Sequence, residues 1–325
     1  MGMKKKYRRW ILTLFLAGVI LYMLPYLYCR TALNTSREYP EDVYLKTETN
    51  KRALILVAHD DDWYGCVGTV RQLCEQGWDV SAYCFYPGPG SEELAERNMS
   101  RKAGTKKCAH LIGLREFTGI DMNLRIYPDE TSYRSIPYAE FEQVYHMDSV
   151  KSVISRIIYL EGPSVIFTLD DSIGLYGHPE HVLISQTIRR VCEQNRSQTG
   201  FPVRRIYQSV LPPDMAEGIM VKYGRIHPYL NCKRLYWHWT HHALDSETIF
   251  SEAKENYGCT GMPLPDVEIP VSKYSKYRND FITCFPTERK NFKLFVPFFN
   301  WYPYRMYYGG FDKEYYRILE IQEHN

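Results

Sequence analysis

The chain lacks the charge pattern of a protein that binds nucleic acid or another polyanion. Its 325 residues have a net charge of only +2, and no basic stripe is interleaved with aromatic residues. Proteins of that class concentrate Lys and Arg on one face, so we expect no nucleic-acid partner. Internal repeats and low-complexity blocks are also missing. The 45% hydrophobic content is that of a globular protein, and the length allows one large domain, or one domain with appendages.

Cysteine patterns of zinc ribbons and disulfide frameworks are missing too. The nine cysteines include no Cys-x-x-Cys pair, and an odd number does not describe a set of paired disulfides. Free cysteine is among the residue types most often buried, so we interpret these thiols as core residues.

One long hydrophobic run lies near the amino terminus. Residues 10–28 are apolar and uncharged, and they follow the basic residues Lys4, Lys5, Lys6, Arg8 and Arg9. The run approaches the roughly 20 residues that a membrane-spanning helix needs, whereas a cleaved signal peptide has a shorter core and a small-residue cleavage site. We therefore favour an uncleaved transmembrane anchor over a cleaved signal. The positive-inside rule places the amino terminus in the cytoplasm and the main domain outside it.

Strand-like and helix-like segments alternate from residue 52 to about 212. Short apolar or β-branched runs bounded by Gly and Pro predict strands, and longer periodic segments predict helices. The predicted strands are 53–58, 79–86, 117–120, 164–169, 205–210 and 235–240, and the predicted helices are 67–75, 91–111, 148–160 and 181–192. Such alternation implies right-handed βαβ units and an α/β fold with a mainly parallel sheet.

The sequence divides into five predicted parts. They are a basic segment 1–9, the anchor 10–28, a polar tether 29–51, the main domain 52–258 and an aromatic-rich extension 259–325. The extension no longer alternates between strands and helices. Because Tyr and Trp combine an apolar face with a polar tip, it is either a platform for carbohydrate or the membrane interface, or a tail packed on the domain. We expect the packed tail.

Two short segments after predicted strands contain candidate catalytic and metal-binding residues. They are 59–62 (His-Asp-Asp-Asp), directly after the apolar run 54–58, and 176–181 (Tyr-Gly-His-Pro-Glu-His), which comes after the strand 164–169. Open α/β sheets bind ligands beyond the carboxyl ends of their strands, so we expect the two segments to meet there. Each segment alone also fits a solvated turn, a helix cap or surface histidines.

Together the segments offer ligands for a catalytic metal ion. His59 and Asp62 lie three residues apart where a strand turns into a helix, and His181 is the best candidate for a third ligand. A His-Asp-His set with one open position is a catalytic zinc arrangement rather than a structural one. Asp61 is placed to accept a proton from metal-bound water, whose pKa falls towards about 7. His178 is placed to stabilise an oxyanion or to protonate a leaving amine.

The two segments also resemble a known family. Residues 58–62 (Ala-His-Asp-Asp-Asp) resemble the Ala-His-Pro-Asp-Asp signature of the LmbE-like, PIG-L-type zinc de-N-acetylases. Residues 177–181 (Gly-His-Pro-Glu-His) are similar to that family's Gly-His-Pro-Asp-His segment. The resemblance covers roughly residues 52 to 212. It implies a Rossmann-like sheet with helices on both faces, and an enzyme that removes the N-acetyl group from N-acetylglucosaminyl compounds.

The resemblance implies a role for each site residue. The implied zinc ligands are His59, Asp62 and His181. The implied catalytic residues are Asp61 as general base, His178 at the oxyanion, and Tyr176, which helps to polarise the substrate carbonyl. Arg101, on the predicted helix 91–111, resembles an arginine that contacts the substrate.

Four positions depart from the family pattern. Asp60 replaces a proline, Trp63 and Gly104 replace glutamates, and Glu180 replaces an aspartate. None of these changes removes an implied ligand or the base. Asp60 leaves the turn less constrained and adds a negative charge beside the metal, and we expect that charge to raise the pKa of Asp61.

These observations predict a membrane-anchored, zinc-dependent de-N-acetylase that acts on an N-acetylglucosamine-type sugar of a glycan or glycolipid. Fe²⁺ or another divalent metal is the alternative to Zn²⁺, because imidazole and carboxylate suit several ions. The expected partners are the N-acetylated sugar and, through the anchor, the membrane. Two alternatives remain open. One is a catalytically silent sugar-binding module, which Asp60 and Trp63 suggest. The other is a deacetylase facing the cytoplasm, as PIG-L-type enzymes of the endoplasmic reticulum do.

Overall fold

The computed structural model describes residues 2–32, 34–88, 92–127, 133–223 and 246–322, and this part of the chain is built around a mixed β-sheet. The described strands are β1 Arg52–Leu56, β2 Asp79–Tyr86, β3 Glu116–Asp121, β4 Val165–Leu169, β5 Arg205–Val210, β6 Val267–Pro270 and β7 Lys313–Glu320. They lie in the order β3-β2-β1-β4-β5-β7-β6. The predicted strand 235–240 lies outside the described residues.

The first five strands are parallel, as the alternating pattern predicts. β1 pairs with β2 on one side and with β4 on the other, so the strand order reverses beside β1. Such a reversal is a topological switch point, and open α/β sheets bind ligands in the crevice beyond it. The segments that follow β1 and β4 are the two segments predicted to form the site. The topology therefore brings them together.

Helices cover both faces of this sheet. The α-helices of the described part of the chain are α1 Gly2–Ala32, α2 Tyr44–Thr47, α3 Val67–Glu75, α4 Glu92–Ile112, α5 Phe141–Val144, α6 Met147–Glu161, α7 Gly174–Gly177, α8 Pro179–Asn195, α9 Pro213–Glu217, α10 Ser246–Tyr257, α11 Ser275–Phe281, α12 Arg289–Phe295 and α13 Tyr304–Tyr308. The four predicted helices correspond to α3, α4, α6 and α8.

Strand β1 contributes side chains to the hydrophobic core on both faces of the sheet. Leu54 and Leu56 pack in one buried cluster with α6 and α8, whereas Ile55 and Val57 pack in another with α3 and α4. Successive side chains of a strand point to opposite faces, so a strand buried on both faces is a continuous apolar run. The predicted Rossmann-like α/β fold, with a mainly parallel sheet and helices on both faces, is confirmed.

The extension adds two strands that the sequence pattern did not predict. β7 pairs antiparallel with β5, and β6 pairs antiparallel with β7 at the sheet edge. Tyr316 of β7 is buried, and its ring lies 5.7 Å from the ring centroids of both Phe167 and Tyr207. Charged residues interrupt the apolar pattern of β7, so the sequence pattern did not predict this strand. The extension is thus joined to the sheet as well as packed beside it.

The predicted anchor lies within α1. The stretch Lys6–Thr31 is long and apolar enough to cross a membrane, by length and composition alone. Its carboxyl end rests on the extension, because the Tyr22 hydroxyl donates to the Trp301 carbonyl oxygen at 2.6 Å and the Tyr302 hydroxyl donates to the Tyr22 carbonyl oxygen at 2.5 Å. The apolar helix therefore ends against the folded domain.

Residues 34–51, within the predicted tether, also contact the domain. Asp42 is buried, and its Oδ2 accepts a hydrogen bond from the Tyr207 hydroxyl at 2.9 Å. Its backbone N–H donates to the Glu268 carbonyl oxygen of β6 at 3.2 Å. The segment after α1 is therefore held along the edge of the sheet.

Candidate active site

Three side chains from the two predicted segments meet at one point. His59 Nδ1 lies 3.1 Å from Asp62 Oδ2 and 3.2 Å from His181 Nε2, and His181 Nε2 lies 3.0 Å from Asp62 Oδ1. Asp62 opens a 3₁₀ turn after β1, and His181 lies in the first turn of α8. Two imidazole nitrogens and a carboxylate at this spacing match the three protein ligands of a catalytic zinc site.

Hydrogen bonds orient both imidazoles toward that point. His181 Nδ1 donates to the Gly174 carbonyl oxygen at 2.9 Å, so Nε2 is the ring nitrogen that faces Asp62. His59 Nε2 donates to the Glu180 carboxylate at 3.0 Å, so Nδ1 is the nitrogen that faces Asp62 and His181. Metal-binding histidines commonly donate their second ring nitrogen in this way. Glu180 therefore has a definite role as the residue that orients His59.

The carboxylate of the set remains ionised. Burial raises the pKa of Asp62, but the interactions with His181 and His59, which include hydrogen bonds, lower it well below its usual range. Asp62 also accepts a hydrogen bond from the backbone N–H of His59 at 2.6 Å. A carboxylate fixed from both sides is a suitable metal ligand because little further ordering is needed on binding. The donor set and its orientation therefore fit a divalent metal.

A buried aspartate that the sequence reasoning missed holds the loop before α8. The Asp170 carboxylate accepts hydrogen bonds from four successive backbone N–H groups, of Ser172, Ile173, Gly174 and Leu175, at 2.7–3.2 Å. Gly174 adopts a φ of +62°, and a Cβ there would lie 2.7 Å from the Cβ of His181. The loop therefore approaches His181 closely. The signal in the sequence was that Asp170 directly follows β4, as Asp60–Asp62 follow β1.

Asp61 borders the cavity beside the ligand set. Burial and the neighbouring Asp62 raise the pKa of Asp61 to about 7, against the opposing charge of Arg101. Arg101 Nη2 lies 3.4 Å from Asp61 Oδ1. A carboxyl group with a pKa near neutrality is suited to take up a proton and return it within one reaction cycle.

His178 and Tyr176 face the same cavity as uncharged donors. Burial, together with the neighbouring imidazoles of His181 and His59, holds the pKa of His178 well below its usual range. His178 Nδ1 accepts the backbone N–H of Glu180 at 3.2 Å, so the proton of the neutral ring is on Nε2. Burial raises the pKa of Tyr176 well above its usual value, so its hydroxyl keeps its proton. A neutral His178 can donate its Nε2–H to an oxyanion, which is one of the two roles expected for it.

The unusual Asp60 is paired with Arg101. Asp60 is fully buried, and Arg101 Nε lies 3.1 and 3.0 Å from its two carboxylate oxygens. The Tyr86 hydroxyl donates to Asp60 Oδ2 at 2.8 Å. On the other side, Arg101 Nη1 lies 3.3 Å from Glu288 Oε1 of the extension. Asp60 does raise the pKa of Asp61, as expected, but Arg101 opposes this effect more strongly.

Two other departures from the family pattern have structural explanations. Trp63 is buried and packs edge-on against Phe281 of α11, with ring centroids 4.8 Å apart. At position 104, a Cβ would lie 2.5 Å from the Cys284 carbonyl oxygen, so Gly104 lets the extension approach α4. Trp63 and Gly104 therefore accommodate the extension, and neither is among the described residues that line the cavity.

A cavity of about 710 Å³ joins these groups to the extension. This volume lies within the range of ligand pockets. The predicted site residues in its wall are His59, Asp61, Asp62, Arg101, Tyr176 and His178. The extension contributes Arg278, Glu288, Asn291, Phe292, Phe295 and Val296. No local pattern marked these residues, because they reach the cavity only through the tertiary fold.

Residues 54–192 match the family model described as PIG-L, GlcNAc-PI de-N-acetylase. This match contains both motifs and confirms the family resemblance. No curated protein sequence matches the chain.

Solved structures with a similar fold include an N,N′-diacetylchitobiose deacetylase from Pyrococcus horikoshii. It has 15% identity and a TM-score of 0.46, and the match covers 86% of this chain and 90% of that one. The A40926 pseudoaglycone deacetylase Dbv21 has 13% identity and a TM-score of 0.41, with coverages of 85% and 100%. GalB, a 4-carboxy-2-hydroxymuconate hydratase from Pseudomonas putida, has 13% identity and a TM-score of 0.43, with coverages of 75% and 82%. Likenesses this distant carry no inference about chemistry.

Proposed function

We propose that this protein is a metal-dependent hydrolase that removes the N-acetyl group from an N-acetylglucosamine-type sugar, because residues 54–192 match the PIG-L family model. The observation that carries the proposal is the convergence of His59, Asp62 and His181, with both imidazoles oriented, beside Asp61 at a cavity wall. Zn²⁺ is the proposed metal, and Fe²⁺ is the alternative.

The residues around the cavity have different proposed roles in the reaction. His59, Asp62 and His181 would hold a divalent metal, and that metal would supply an acidic water and polarise the acetyl carbonyl. Asp61 takes the proton from the attacking water and returns it to the leaving amine, which suits a carboxyl pKa of about 7. The protonated Tyr176 hydroxyl and neutral His178 donate to the oxygen on which negative charge develops.

Arg101 is the proposed substrate-positioning residue. Its guanidinium is held by Asp60 within the protein and by Glu288 from the extension, and it also lines the cavity. A guanidinium fixed at two carboxylates has little freedom to lose when a sugar hydroxyl or carbonyl binds beside it. Asp60 therefore takes part in the site through Arg101.

We also propose that α1 anchors the enzyme in a membrane, with the amino terminus in the cytoplasm and the domain on the other side. The support is the apolar stretch Lys6–Thr31 and the basic residues before it. Proteolysis of intact and permeabilised cells tests the orientation. Protection of the domain in intact cells, followed by cleavage after permeabilisation, would support the cytoplasm-facing alternative.

The activity is tested with the full-length chain in lipid nanodiscs. Bound metal is measured by elemental analysis, and acetate release is measured with N-acetylglucosamine conjugates. We expect Asp61→Asn to retain metal and to lose about a thousandfold in acetate release, because removal of a general base costs a factor of 10² to 10⁴. Full activity in metal-free protein, or in Asp61→Asn, would refute the mechanism. Glycan binding without acetate release would favour the silent sugar-binding module.

A further inference from the structure

Two cysteines meet where the extension packs on α4. The thiols of Cys108, on α4, and Cys284, in the extension, form a hydrogen bond to each other. Both are free thiols and both are buried. None of the other cysteines in the described ranges has such a bond to a second thiol. The proposed hydrolysis uses neither thiol of the pair.

Contacts on both sides of the pair hold the two backbones together. Gly104 lies one helical turn before Cys108, and a Cβ at that position would be 2.5 Å from the Cys284 carbonyl oxygen. Lys107 Nζ donates to the Thr283 carbonyl oxygen at 3.1 Å. A disulfide forms without movement of the chain only where two cysteine backbones already lie close together. The packing of the extension on α4 meets this condition.

The two thiols differ in reactivity. The hydrogen bond that Cys108 donates and the charge of Lys107 lower the pKa of Cys284, against the effect of burial. Burial raises the pKa of Cys108 well above its usual value. The thiolate is the nucleophile in thiol chemistry, so Cys284 is the thiol that reacts first with an oxidant.

We propose that Cys108 and Cys284 form a disulfide bond that fastens the extension to α4. The oxidant is a small-molecule disulfide. The Cys284 thiolate attacks one sulfur of the oxidant, and a mixed disulfide forms while the first thiolate leaves. Cys108 then loses its proton to water and attacks the sulfur of Cys284, which releases the second thiolate. The protein gives up two protons and two electrons, and the oxidant becomes two thiols.

The bond would lie beside the wall of the active-site cavity. Arg101 is about two helical turns before Cys108 on α4, and Glu288 follows Cys284 by four residues. Arg101 Nη1 and Glu288 Oε1 are 3.3 Å apart. The disulfide would therefore hold the segment that carries Glu288 against the helix that carries Arg101. A domain outside the cytoplasm, as proposed above, meets the oxidising conditions in which disulfides persist.

The test maps disulfides in the full-length chain in nanodiscs, and it needs no enzymatic activity. The protein is equilibrated with reduced and oxidised glutathione in urea below the unfolding transition, so that local opening exposes the buried pair. Remaining thiols are alkylated, and peptides are identified by mass spectrometry without reduction. We expect one linked peptide pair that joins Cys108 to Cys284. Cys74, which is partly exposed, is the internal control and should appear in no linked pair.

The oxidised protein should also unfold at a higher temperature. A cross-link restricts the unfolded chain, and we expect the midpoint of thermal unfolding to rise by about 5 to 10 °C. Cys192→Ser, at a buried cysteine of α8, is the matched control and should show the same rise. Neither cysteine of the pair is present in the proposed catalytic set, so a failed activity assay would leave this result unaffected.

Single variants test the order of the two steps. Cys108→Ser should keep glutathione on Cys284 as a mixed disulfide, because the second thiol is missing. Cys284→Ser should leave Cys108 unmodified, because burial keeps that thiol protonated. Alkylation of both thiols in the unmodified chain at every glutathione ratio would overturn the proposal. Linkage of either cysteine to a different partner would overturn it as well.

Discussion

Residues 54–192 and the extension meet in one cavity but contribute to it differently. The first region supplies the proposed metal ligands and Asp61 from two short motifs that follow β1 and β4. The extension supplies two strands, several apolar walls and the carboxylates Glu288 and Glu314. The comparison shows that short motifs hold the chemistry, whereas distant segments shape the space around it. Changes in the first region should affect metal and rate, and changes in the extension should affect stability and KM.

The largest effect is expected in the motif region. His181→Ala removes a ligand atom that lies 3.0 Å from Asp62 and 3.2 Å from His59. Loss of a residue that only orients a ligand weakens metal binding by about 10- to 100-fold, so loss of the ligand itself should exceed about a hundredfold. Competition with a chelator of known affinity measures the change. His110→Ala, at an exposed histidine of α4, is the control and should bind metal as the unmodified chain does.

The next effect tests the extension as a stabilising element. The buried Glu314 carboxylate accepts the backbone N–H groups of Gly68 and Thr69 at 2.9 and 2.8 Å, where α3 begins, and lies 3.6 Å from Arg278 Nε. Glu314→Ala leaves Arg278 buried without this partner, which should lower the free energy of unfolding by about 3 kcal/mol.

Chemical denaturation of the nanodisc-embedded protein measures the effect of Glu314→Ala. Glu320→Ala, at a mostly exposed carboxylate of the same strand, should cost less than about 1 kcal/mol. Equal losses in the two variants would contradict the role given to Glu314. Metal affinity should stay the same in both, because neither residue contacts the ligand set.

Asp60→Pro restores the family residue and tests the contact between the two regions, because Asp60 holds Arg101 and Arg101 contacts Glu288 of the extension. It removes both the bidentate partner of Arg101 and the acceptor of the Tyr86 hydroxyl. We expect about a tenfold rise in KM and a loss of about 2 kcal/mol in stability, because two buried groups lose their partners. Steady-state kinetics and denaturation measure these changes. A gain in activity would mean that Asp60 impairs the site, and Asp60→Asn, which keeps an acceptor for Tyr86, should fall between proline and the native aspartate.

The smallest effect is expected from Glu288→Gln in the extension. The amide removes the charge that faces Arg101 Nη1 at 3.3 Å but keeps the shape and one acceptor. We expect KM to rise about threefold with kcat and metal content unchanged, since Asp60 still holds the guanidinium. Glu252→Gln breaks the more exposed ion pair with Arg134 and serves as the control, with no change in KM. A fall in kcat without a change in KM would contradict a positioning role.

The sequence predicted those parts of the molecule that local pattern determines. β2 and β5 have the predicted bounds, because both contain β-branched and aromatic residues and a proline follows each of them closely. The candidate ligands His59, Asp62 and His181 were predicted because they lie in two short motifs that follow β1 and β4. β6 and β7 were not predicted, because β6 has only four residues and charged side chains interrupt the apolar pattern of β7.

The unpredicted parts of the site depend on contacts between residues far apart in the chain. The pairing of Asp60 with Arg101 spans 41 positions, and the contact of Arg101 with Glu288 joins α4 to the extension. The unusual charge of Asp60 was therefore recognised from the sequence, but its partner Arg101 was not. The aromatic density of the extension was recognised as well, but the sequence did not indicate that Phe292 and Phe295 line the cavity.

Metal titration of acetate release tests the central claim most directly. The full-length chain is stripped of metal by chelation, returned to nanodiscs and supplied with Zn²⁺ in steps, while acetate release from an N-acetylglucosamine conjugate is recorded. Our account predicts no release without metal and a linear rise that ends at one equivalent per chain, with His181→Ala silent at that level. Release by the stripped protein, or no release from any conjugate at full metal occupancy, would contradict the assignment of His59, Asp62 and His181 as a catalytic metal site.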